Sequence, residues 1–292
     1  MSNPRIPYQM SHERPRIKSI RGKNLIIQVI INVEHWQFDQ KMPRKILTAP
    51  QGLEVIPDIP NYCWAEYGMR CGMPRIMQFF QKRKIPAAVS INASVINAYP
   101  SLAEEMLKSG WEFIGHGVHQ TTMQNQDNEA EFVENTITQI QEFTGKTPLG
   151  WLSPGLRETT QTPDILKTMG IEYIFDWVLD DLPCWMQTKS GPLMALPYSL
   201  ELNDSVIYAV EKHTSKEIFQ RVLDTLLIFD QELDQNPKIL TIAIHPHLMG
   251  VPHRFSYLTK IIDHLQKRTD TLFLKGEDIW RWYKDASPIS ED

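Results

Sequence analysis

The chain has 292 residues, of which 42% are apolar and 22% are charged, and its formal net charge is −5. This composition is typical of a soluble globular protein and excludes a disordered or fibrous one. Lys and Arg total 30 against 35 Asp and Glu, so the basic face of a nucleic-acid binder is not expected.

Cellular location is predicted from what the sequence lacks. No apolar stretch approaches the ~18 residues of a membrane span, and the N-terminal residues lack the apolar core of a signal peptide. The three cysteines form no C-x-x-C pair, which fits a reducing compartment. We therefore expect a cytoplasmic protein with no membrane partner.

The strands are predicted from short apolar runs. The first 23 residues are polar, contain prolines and lack periodicity, so they predict an N-terminal arm ahead of a single domain over residues 24–292. Residues 24–33, NLIIQVIINV, are typical of a strand that is buried on both faces. Similar runs predict strands at 86–92, 111–115, 171–178, 193–198, 239–245 and 271–274.

Helical patterns lie between these strands. Residues 128–144 carry apolar side chains on one stripe and are followed by Gly145, a typical helix end. Thr214 and Glu217 have the spacing of a capping box, which predicts a helix that continues to Pro237. Shorter helices are predicted at 73–84, 100–109, 161–169, 254–268 and 276–284. Alternating strands and helices predict a parallel sheet, either doubly wound or closed as a barrel.

Histidines are concentrated directly after three of the predicted strands. The residues at these places are Glu34 and His35, His116, His119 and Gln120, and His245 and His247. Because the carboxyl ends of parallel strands meet at one edge of a sheet, we expect these side chains to form one site. Histidine titrates near neutral pH and serves as a metal ligand or a proton carrier.

Glu34 is the candidate general base, and we expect partial burial to raise its pKa toward the working range. His116 and Gln120 would share a face if their loop were helical, and two ligands at that spacing are a zinc pattern. Gly117 weakens a helix there, and no third ligand is assigned. The residues alone leave both a metal site and a metal-free acid–base site open.

Acids crowd two further segments, DWVLDD at 176–181 and PYSLELND at 197–204. They are predicted either to orient histidines and bind substrate donors, or to cap turns. These acids are Asp176, Asp180, Asp181, Glu201 and Asp204. The dipeptide Pro154-Gly155 would let a backbone N–H approach a ligand, and the tryptophans near these segments suit either a pocket or the core.

In chain order, these segments resemble the NodB-like polysaccharide deacetylase superfamily. NVEHW is similar to its first motif, HGVHQ to its second, SPG to its third, DW to its fourth and IAIHPH to its fifth. The resemblance covers about residues 24–283. It implies an α/β fold that is a distorted (β/α)7 barrel of the NodB-homology type.

More narrowly, NVEHW, GWLSPGL, DWVLDD, PYSLELND and HPHLMGVPHR together resemble the branch of cofactor-independent allantoinases and cyclic imide hydrolases. That branch implies a small cyclic amide as substrate and a homotetramer. Where metal-dependent deacetylases carry two aspartates, a second histidine and an arginine, this chain has Glu34 and His35, Gln120, and Leu152. These departures favour a site that needs no cofactor over a single Zn²⁺ held by His35 and His116 with His119 or Gln120.

The resulting hypothesis is a hydrolase that opens a C–N bond in a cyclic imide, hydantoin or allantoin. Glu34 deprotonates water, His245 or His247 protonates the leaving nitrogen and His116 polarises the carbonyl, with His35 in the same catalytic group. The predicted substrate-binding residues are Trp36, Pro154, Gly155, Trp177, Asp181, Glu201, Asn203 and Arg254. Two alternatives are a metal-dependent N-deacetylase of an amino-sugar oligomer and a catalytically degenerate barrel that binds a ligand.

Overall fold

The computed structural model describes residues 3–49 and 52–289. Its strands are β1 (Leu25–Val33), β2 (Ala88–Ile91), β3 (Glu112–Gly115), β4 (Gly150–Trp151), β5 (Tyr173–Ile174), β6 (Cys184–Thr188), β7 (Gly191–Ala195), β8 (Lys238–Ile244) and β9 (Thr271–Phe273). They form one sheet in the order β6-β7-β5-β4-β3-β2-β1-β8, with β9 paired to the start of β1.

The sheet is curled into a partly closed barrel. Adjacent strands are parallel apart from the β6–β7 hairpin, which is antiparallel. A parallel bridge between Asn203 and Ala243 joins the segment after β7 to β8, and the Ala243 N–H donates to the Leu202 carbonyl at 3.1 Å. The predicted distorted β/α barrel is confirmed, although a parallel sheet was expected throughout and the strands β4 and β6 were not predicted.

The helices cover the outside of the barrel. They are α1 (Ile59–Tyr67), α2 (Met73–Arg83), α3 (Val95–Ala98), α4 (Pro100–Lys108), α5 (Glu129–Thr144), α6 (Thr162–Thr168), α7 (Glu217–Glu232), α8 (Pro246–Met249), α9 (Pro252–Gln266) and α10 (Gly276–Ala286). Two π-helical turns span Gly68–Gly72 and Ser205–Val210, and short 3₁₀ turns span Ser11–Glu13, Met123–Asn125 and Pro154–Leu156. Within the described residues, no helix is both long and apolar enough to cross a membrane.

One predicted helix start was wrong. The helix after Thr214 has no side-chain cap, and the Glu217 N–H donates to the Thr214 carbonyl within a turn. Because Glu217 is itself the first helical residue, it cannot serve as the third residue of a capping box. The helix also ends at Glu232 rather than continuing to Pro237.

The core explains why β1 is apolar throughout its length. All nine of its residues are buried, since the helices cover one face and the barrel interior covers the other. Leu25, Ile27 and Val29 pack with the helices, whereas Ile26 and Ile30 pack inside the barrel. Full burial of one such side chain contributes about 1.5–3 kcal/mol.

The N-terminal arm packs on its own barrel. The Arg5 guanidinium makes a paired contact with the Asp164 carboxylate at 2.8 and 2.9 Å. Further along, Arg14 forms an ion pair with Asp180 at 3.0 Å and donates to the Tyr283 hydroxyl at 3.1 Å. These contacts attach a segment without regular periodicity to the domain.

Glu112 is the first residue of β3, and the ionisation of its carboxyl group should affect the stability of the protein. Its Oε1 accepts from the Glu277 N–H at 3.1 Å, and its Oε2 is buried with no hydrogen-bond partner. Burial raises the pKa of Glu112 to about 8 from an ordinary 4.5. Between these values the unfolded chain has lost a proton that the native state retains, so native stability falls as the pH rises.

We therefore expect Glu112→Gln to be more stable than the parent above this pH window, by roughly 2–4 kcal/mol. Below the window the two proteins should have similar stability. Urea unfolding at both ends of the window measures the difference. The exposed Glu104 (side chain 59% exposed) gives a matched control, since Glu104→Gln should retain the parent's pH dependence. If the stability of Glu112→Gln and that of the parent changed with pH in the same way, the raised pKa of Glu112 would be contradicted.

Candidate functional site

Side-chain alternation decides which residues at the strand ends reach the barrel interior. In β1 the inward face contains Ile26 and Ile30, and the period of two continues this face to Glu34. In β8 the inward face contains Ile239 and Ala243 and continues to His245. His116 continues the inward face of Ile114 in the same way. Three functional side chains therefore project into the barrel at the end where the parallel strands finish.

The Glu34 carboxylate is the centre of this cluster. Its Oε1 lies 3.4 Å from His245 Nε2 and 4.0 Å from His116 Nε2, and it accepts from the Gln120 amide at 2.9 Å. Its Oε2 accepts from the Trp36 indole N–H at 2.8 Å. With only 10% of its side chain exposed, Glu34 is enclosed by four polar groups.

Asp204 fixes the orientation of His245 from the other side. Asp204 Oδ1 lies 2.6 Å from His245 Nδ1, and Oδ2 accepts from the His245 backbone N–H at 2.8 Å. Asp204 is fully buried and directly precedes the π-helical turn Ser205–Val210. A carboxylate, an imidazole and a second carboxylate thus lie in series, so the imidazole is held in one orientation with Nε2 toward Glu34.

The charges of this series follow from its geometry. Burial lowers the pKa of His245, but Asp204 and Glu34 outweigh it and raise that pKa to about 10. Burial raises the pKa of Glu34, but the hydrogen bond from His245 and the neighbouring histidines lower it to about 2. The pair is therefore ionised at neutral pH. The upward shift that we predicted for Glu34 was wrong, because the sequence does not reveal a cationic partner.

His247 has the opposite charge state to His245. Its ring is fully buried between Trp64 and Trp36, with centroid distances of 4.7 and 5.3 Å. Burial and the charge on His245 lower the pKa of His247 to about 3. At neutral pH the proton therefore resides on His245, and His247 is a neutral packing partner of two indoles.

His116 presents a lone pair to the site. Its Nδ1 lies 2.5 Å from the Leu152 carbonyl, and a carbonyl accepts only from a protonated nitrogen, which fixes the neutral tautomer. The pKa of His116 is lowered by burial, so the ring is neutral and Nε2 is an acceptor. That Nε2 is buried without a hydrogen-bond partner, as is Gln120 Oε1. Unpaired buried polar atoms beside a carboxylate indicate a place for a ligand.

The residues named for the alternative zinc site do not converge on one point. His35 follows Glu34 beyond the end of β1 and faces a different set of residues, since its Nδ1 is 2.8 Å from Ser94 Oγ and its ring is 5.8 Å from that of His119 between centroids. His116 and Gln120 instead contact Glu34. Among the described residues no group of three His, Cys, Asp or Glu is arranged to hold a metal ion. The positions of these four side chains therefore do not fit the alternative zinc site.

Two of the predicted substrate-binding acids lie elsewhere. Asp181 pairs with Lys238 at 3.0 Å with its side chain 47% exposed, and Glu201, which is 84% exposed, lies 3.4 Å from Arg221. Both form surface ion pairs, which contradicts their prediction as ligands of the site. An acidic residue in a loop can be a ligand of the site or a surface charge, because the sequence does not give the direction of its side chain.

The other predicted substrate-binding residues have mixed positions. Asn203 is buried, with its amide 3.4 Å from the Tyr198 hydroxyl, and bridges to β8. The Trp177 indole donates to Glu158. Pro154 is buried in a 3₁₀ turn in which Gly155 has φ 66° and is exposed. Trp36 contacts Glu34 directly.

Asp204 and Asn92 are the important polar residues that the sequence did not single out. Asp204 was one of five candidate acids, with no signal to select it. Asn92 follows β2 and connects two motifs, since its Oδ1 accepts from the His35 N–H at 2.9 Å and its amide donates to the His116 carbonyl at 2.5 Å. Its place directly after a buried strand was an available signal.

A close glycine contact holds His247 in place. A Cβ built on Gly68 would lie 2.5 Å from His247 N and 2.8 Å from His247 Cβ. Gly68→Ala must therefore displace the turn that carries His245 and His247. We expect a loss of about 1–3 kcal/mol in stability together with lower activity. Thermal unfolding and turnover measure the two effects, and parent-like values for both would show that the turn moves freely.

The amino-acid sequence is similar to those of polysaccharide deacetylases. The family model described as polysaccharide deacetylase matches residues 62–174. A candidate polysaccharide deacetylase of Schizosaccharomyces pombe is 27% identical over 243 residues, covering 76% of each chain. The peptidoglycan deacetylase of Helicobacter pylori is 23% identical over 242 residues, which is 71% of this chain and 82% of that protein.

Solved structures share the whole fold. A probable polysaccharide deacetylase from Pseudomonas aeruginosa superposes with a TM-score of 0.85 at 25% identity, covering 95% of this chain and 97% of its own. Puue allantoinase superposes with a TM-score of 0.82 at 23% identity, covering 99% of this chain and 96% of its own. At that level of identity the likeness to the allantoinase bears on the fold alone.

Proposed function

Because the chain belongs to the NodB-like polysaccharide deacetylase superfamily, a hydrolytic family, we propose that it hydrolyses a C–N bond in a small cyclic amide of the imide, hydantoin or allantoin type. The observation that carries this proposal is the buried, ionised pair of Glu34 and His245, 3.4 Å apart. It supplies an acceptor and a donor of protons at one place.

Burial of the site favours a small substrate. The side chains of Glu34, His245 and His116 are 10%, 9% and 3% exposed. A polymer would need an open groove across these groups, whereas a compact ring can be enclosed once water leaves. Enclosure also strengthens every charge interaction at the reacting atoms.

The nucleophilic water has a defined place in this mechanism. Glu34 Oε1 and His116 Nε2 both accept hydrogen bonds and lie 4.0 Å apart. A water about 2.8 Å from each atom donates one proton to each, which is a normal hydrogen-bond geometry. Its oxygen then directs a lone pair toward the ring carbonyl. His116 thus positions water, rather than polarising the carbonyl as we predicted, because its Nε2 carries no proton.

Proton transfer links the acid to the base. His245 donates its Nε2 proton to the ring nitrogen, which must be protonated because the leaving group stays tethered and would otherwise close the ring again. Glu34 accepts a proton from the attacking water as the water oxygen bonds to the ring carbon, and loss of the His245 charge to the nitrogen removes the main cause of the low Glu34 pKa. The proton returns to His245 across 3.4 Å. Overall, one O–H bond of water and the ring C–N bond break, hydroxide bonds to carbon and a proton bonds to nitrogen.

The mechanism uses only side chains of this protein, so we propose hydrolysis without a metal cofactor. The test is turnover of allantoin, dihydrouracil, hydantoin, succinimide and an acetylated chito-oligomer, each with and without a chelator. We expect ring opening of at least one cyclic amide, at a rate that the chelator leaves unchanged. Inert rings together with a reactive oligomer would overturn the proposal, and loss of ring opening with chelator would overturn its metal-free form.

N-deacetylation of an amino-sugar oligomer is the second candidate. It is favoured by the names of the matching family and of both curated relatives. A cleft of about 750 Å³ lies beside His35 and is lined by Tyr62, Glu66 and Tyr99, which is room for a sugar. Acetate release from the chito-oligomer in the same assay distinguishes this activity from ring opening.

A further inference from the structure

Two arginines near His247 form no ion pair with a carboxylate in the part of the chain that the structure describes. We propose that Arg44 and Arg254 form an anion subsite beside His247 that binds a carboxylate carried on the substrate ring. This inference rests on the proposed ring-opening function and specifies its substrate class as cyclic amides with an acidic substituent.

Both guanidinium groups lie against the same short turn. Arg44 Nη1 donates to the Ser205 carbonyl at 3.2 Å, and the Arg254 guanidinium lies 4.3 Å from the centroid of the Tyr208 ring. Ser205 and Tyr208 belong to the π-helical turn Ser205–Val210, directly after Asp204. Both arginines therefore contact the turn that directly follows Asp204.

The neighbourhood of His247 connects these charges to the site. Arg44 and Arg254 both lower the pKa of His247, after the larger effects of burial and of His245. Arg254 is in the first turn of α9, just beyond the short helix that contains His247. An anion held by both arginines would thus lie beside His247, whose ring packs 5.7 Å from that of His245 between centroids.

Neither arginine has its charge neutralised by the protein. Within residues 3–49 and 52–289, neither forms an ion pair with a carboxylate, although many other arginines do. Arg254 Nε is buried with no hydrogen-bond partner, and burial lowers the pKa of Arg254. Asp204, the nearby acid, has both oxygens bonded to His245. Leaving a partly desolvated cation unpaired is costly, and a bound anion removes that cost.

The chemistry of guanidinium selects a carboxylate. Its planar N–H groups match the two oxygens of a carboxylate, and they form charge-assisted hydrogen bonds that a neutral amide does not equal. Ring opening also creates a new carboxylate at the attacked carbon, so substrate and product both offer this group. We assign the subsite to the substituent, because the new carboxylate forms at the Glu34 water rather than beyond His247.

The test compares hydantoin-5-acetate with hydantoin-5-acetamide, which share a ring and differ in charge. We expect the parent protein to prefer the acid by about tenfold to a hundredfold in kcat/KM, mainly through KM. Arg254→Gln should reduce this ratio to near one. Arg254→Lys should give an intermediate ratio, because lysine keeps the positive charge but lacks the planar pair of N–H donors of a guanidinium group. Arg44→Gln should also reduce the ratio.

Arg281 provides the matched control, since its side chain is 63% exposed and paired with Glu277. Arg281→Gln should retain the parent's ratio. Absence of a preference in the parent, or a full preference in a folded Arg254→Gln variant, would overturn the anion subsite. If Arg254→Gln weakens binding of ring-opened hydantoate as much as binding of hydantoin-5-acetate, the subsite serves the product and our assignment is wrong.

Failure of the proposed function has a different signature. If neither hydantoin is hydrolysed, calorimetric binding of the same two compounds still tests the subsite. Tighter binding of the acid by the parent, lost in Arg254→Gln, would support the anion subsite in a protein with another activity. Equal binding of acid and amide would overturn it independently of turnover.

Discussion

Replacing Glu34 by glutamine should lower kcat by about 10²–10⁴-fold, the usual contribution of a general base, while the protein stays folded. An amide cannot take a proton from the attacking water, and it removes the anion that faces His245 at 3.4 Å. The side chain keeps its shape, so substrate affinity should change little. Steady-state kinetics and equilibrium binding of a hydrolysed ring substrate separate these two effects.

Glu66 offers a control matched in burial, since its side chain is 14% exposed and paired with Arg70 at 2.8 Å. Glu66→Gln should retain ring-opening activity, because this carboxylate lies in the neighbouring cleft and contacts Tyr99. Parent-like turnover in Glu34→Gln would remove Glu34 from the mechanism. Equal losses in both variants would point to a general effect on packing.

The alkaline limit of activity should move when Asp204 is replaced by asparagine. His245 acts as an acid, so its proton must be present, and its pKa of about 10 keeps it protonated through neutral pH. Activity of the parent should therefore hold from neutral pH upward and fall as the pH passes about 10. Asp204→Asn removes a negative charge that raises the pKa of His245. The alkaline fall in activity should therefore begin at least one pH unit lower in the variant. At pH values between the two limits, the variant should be about tenfold slower than the parent.

The pH dependence of kcat/KM measures this shift. Asp181→Asn is the control, because Asp181 forms a surface ion pair with Lys238 and its removal should leave the profile unchanged. Coincident alkaline limits for Asp204→Asn and the parent would show that His245 does not supply the essential proton. If the rate were also lower at every pH while the limit stayed unmoved, Asp204 would in addition be assigned a role in packing.

The strands and their polar ends were predictable because burial leaves a strong pattern. The apolar run at 24–33 became β1 over Leu25–Val33, and Glu34, His116 and His245, which follow β1, β3 and β8, lie close together. Alternation along the strand would also have excluded His35 from the interior, since Glu34 and His35 must face opposite sides. The sequence therefore contained the information that separates Glu34 from His35.

Other features depend on contacts between distant segments. Asp204 and His245 are 41 residues apart and touch at 2.6 Å, and this contact sets the signs of two pKa shifts. No local pattern distinguishes Asp204 from Asp181 or Glu201, which lie on the surface. Likewise, Arg44 and Arg254 approach one turn from opposite parts of the chain, so their shared position emerges only from the fold.

The hydrogen bond from the Trp36 indole to Glu34, at 2.8 Å, has an optical consequence. A chromophore is attached directly to the carboxylate whose charge changes during turnover, and its ring also contacts His247 at 5.3 Å between centroids. Neutralisation of Glu34 or entry of a ring therefore alters the electric field on an indole that is 4% exposed. Events at the reacting atoms become visible as a change in tryptophan emission, without any label.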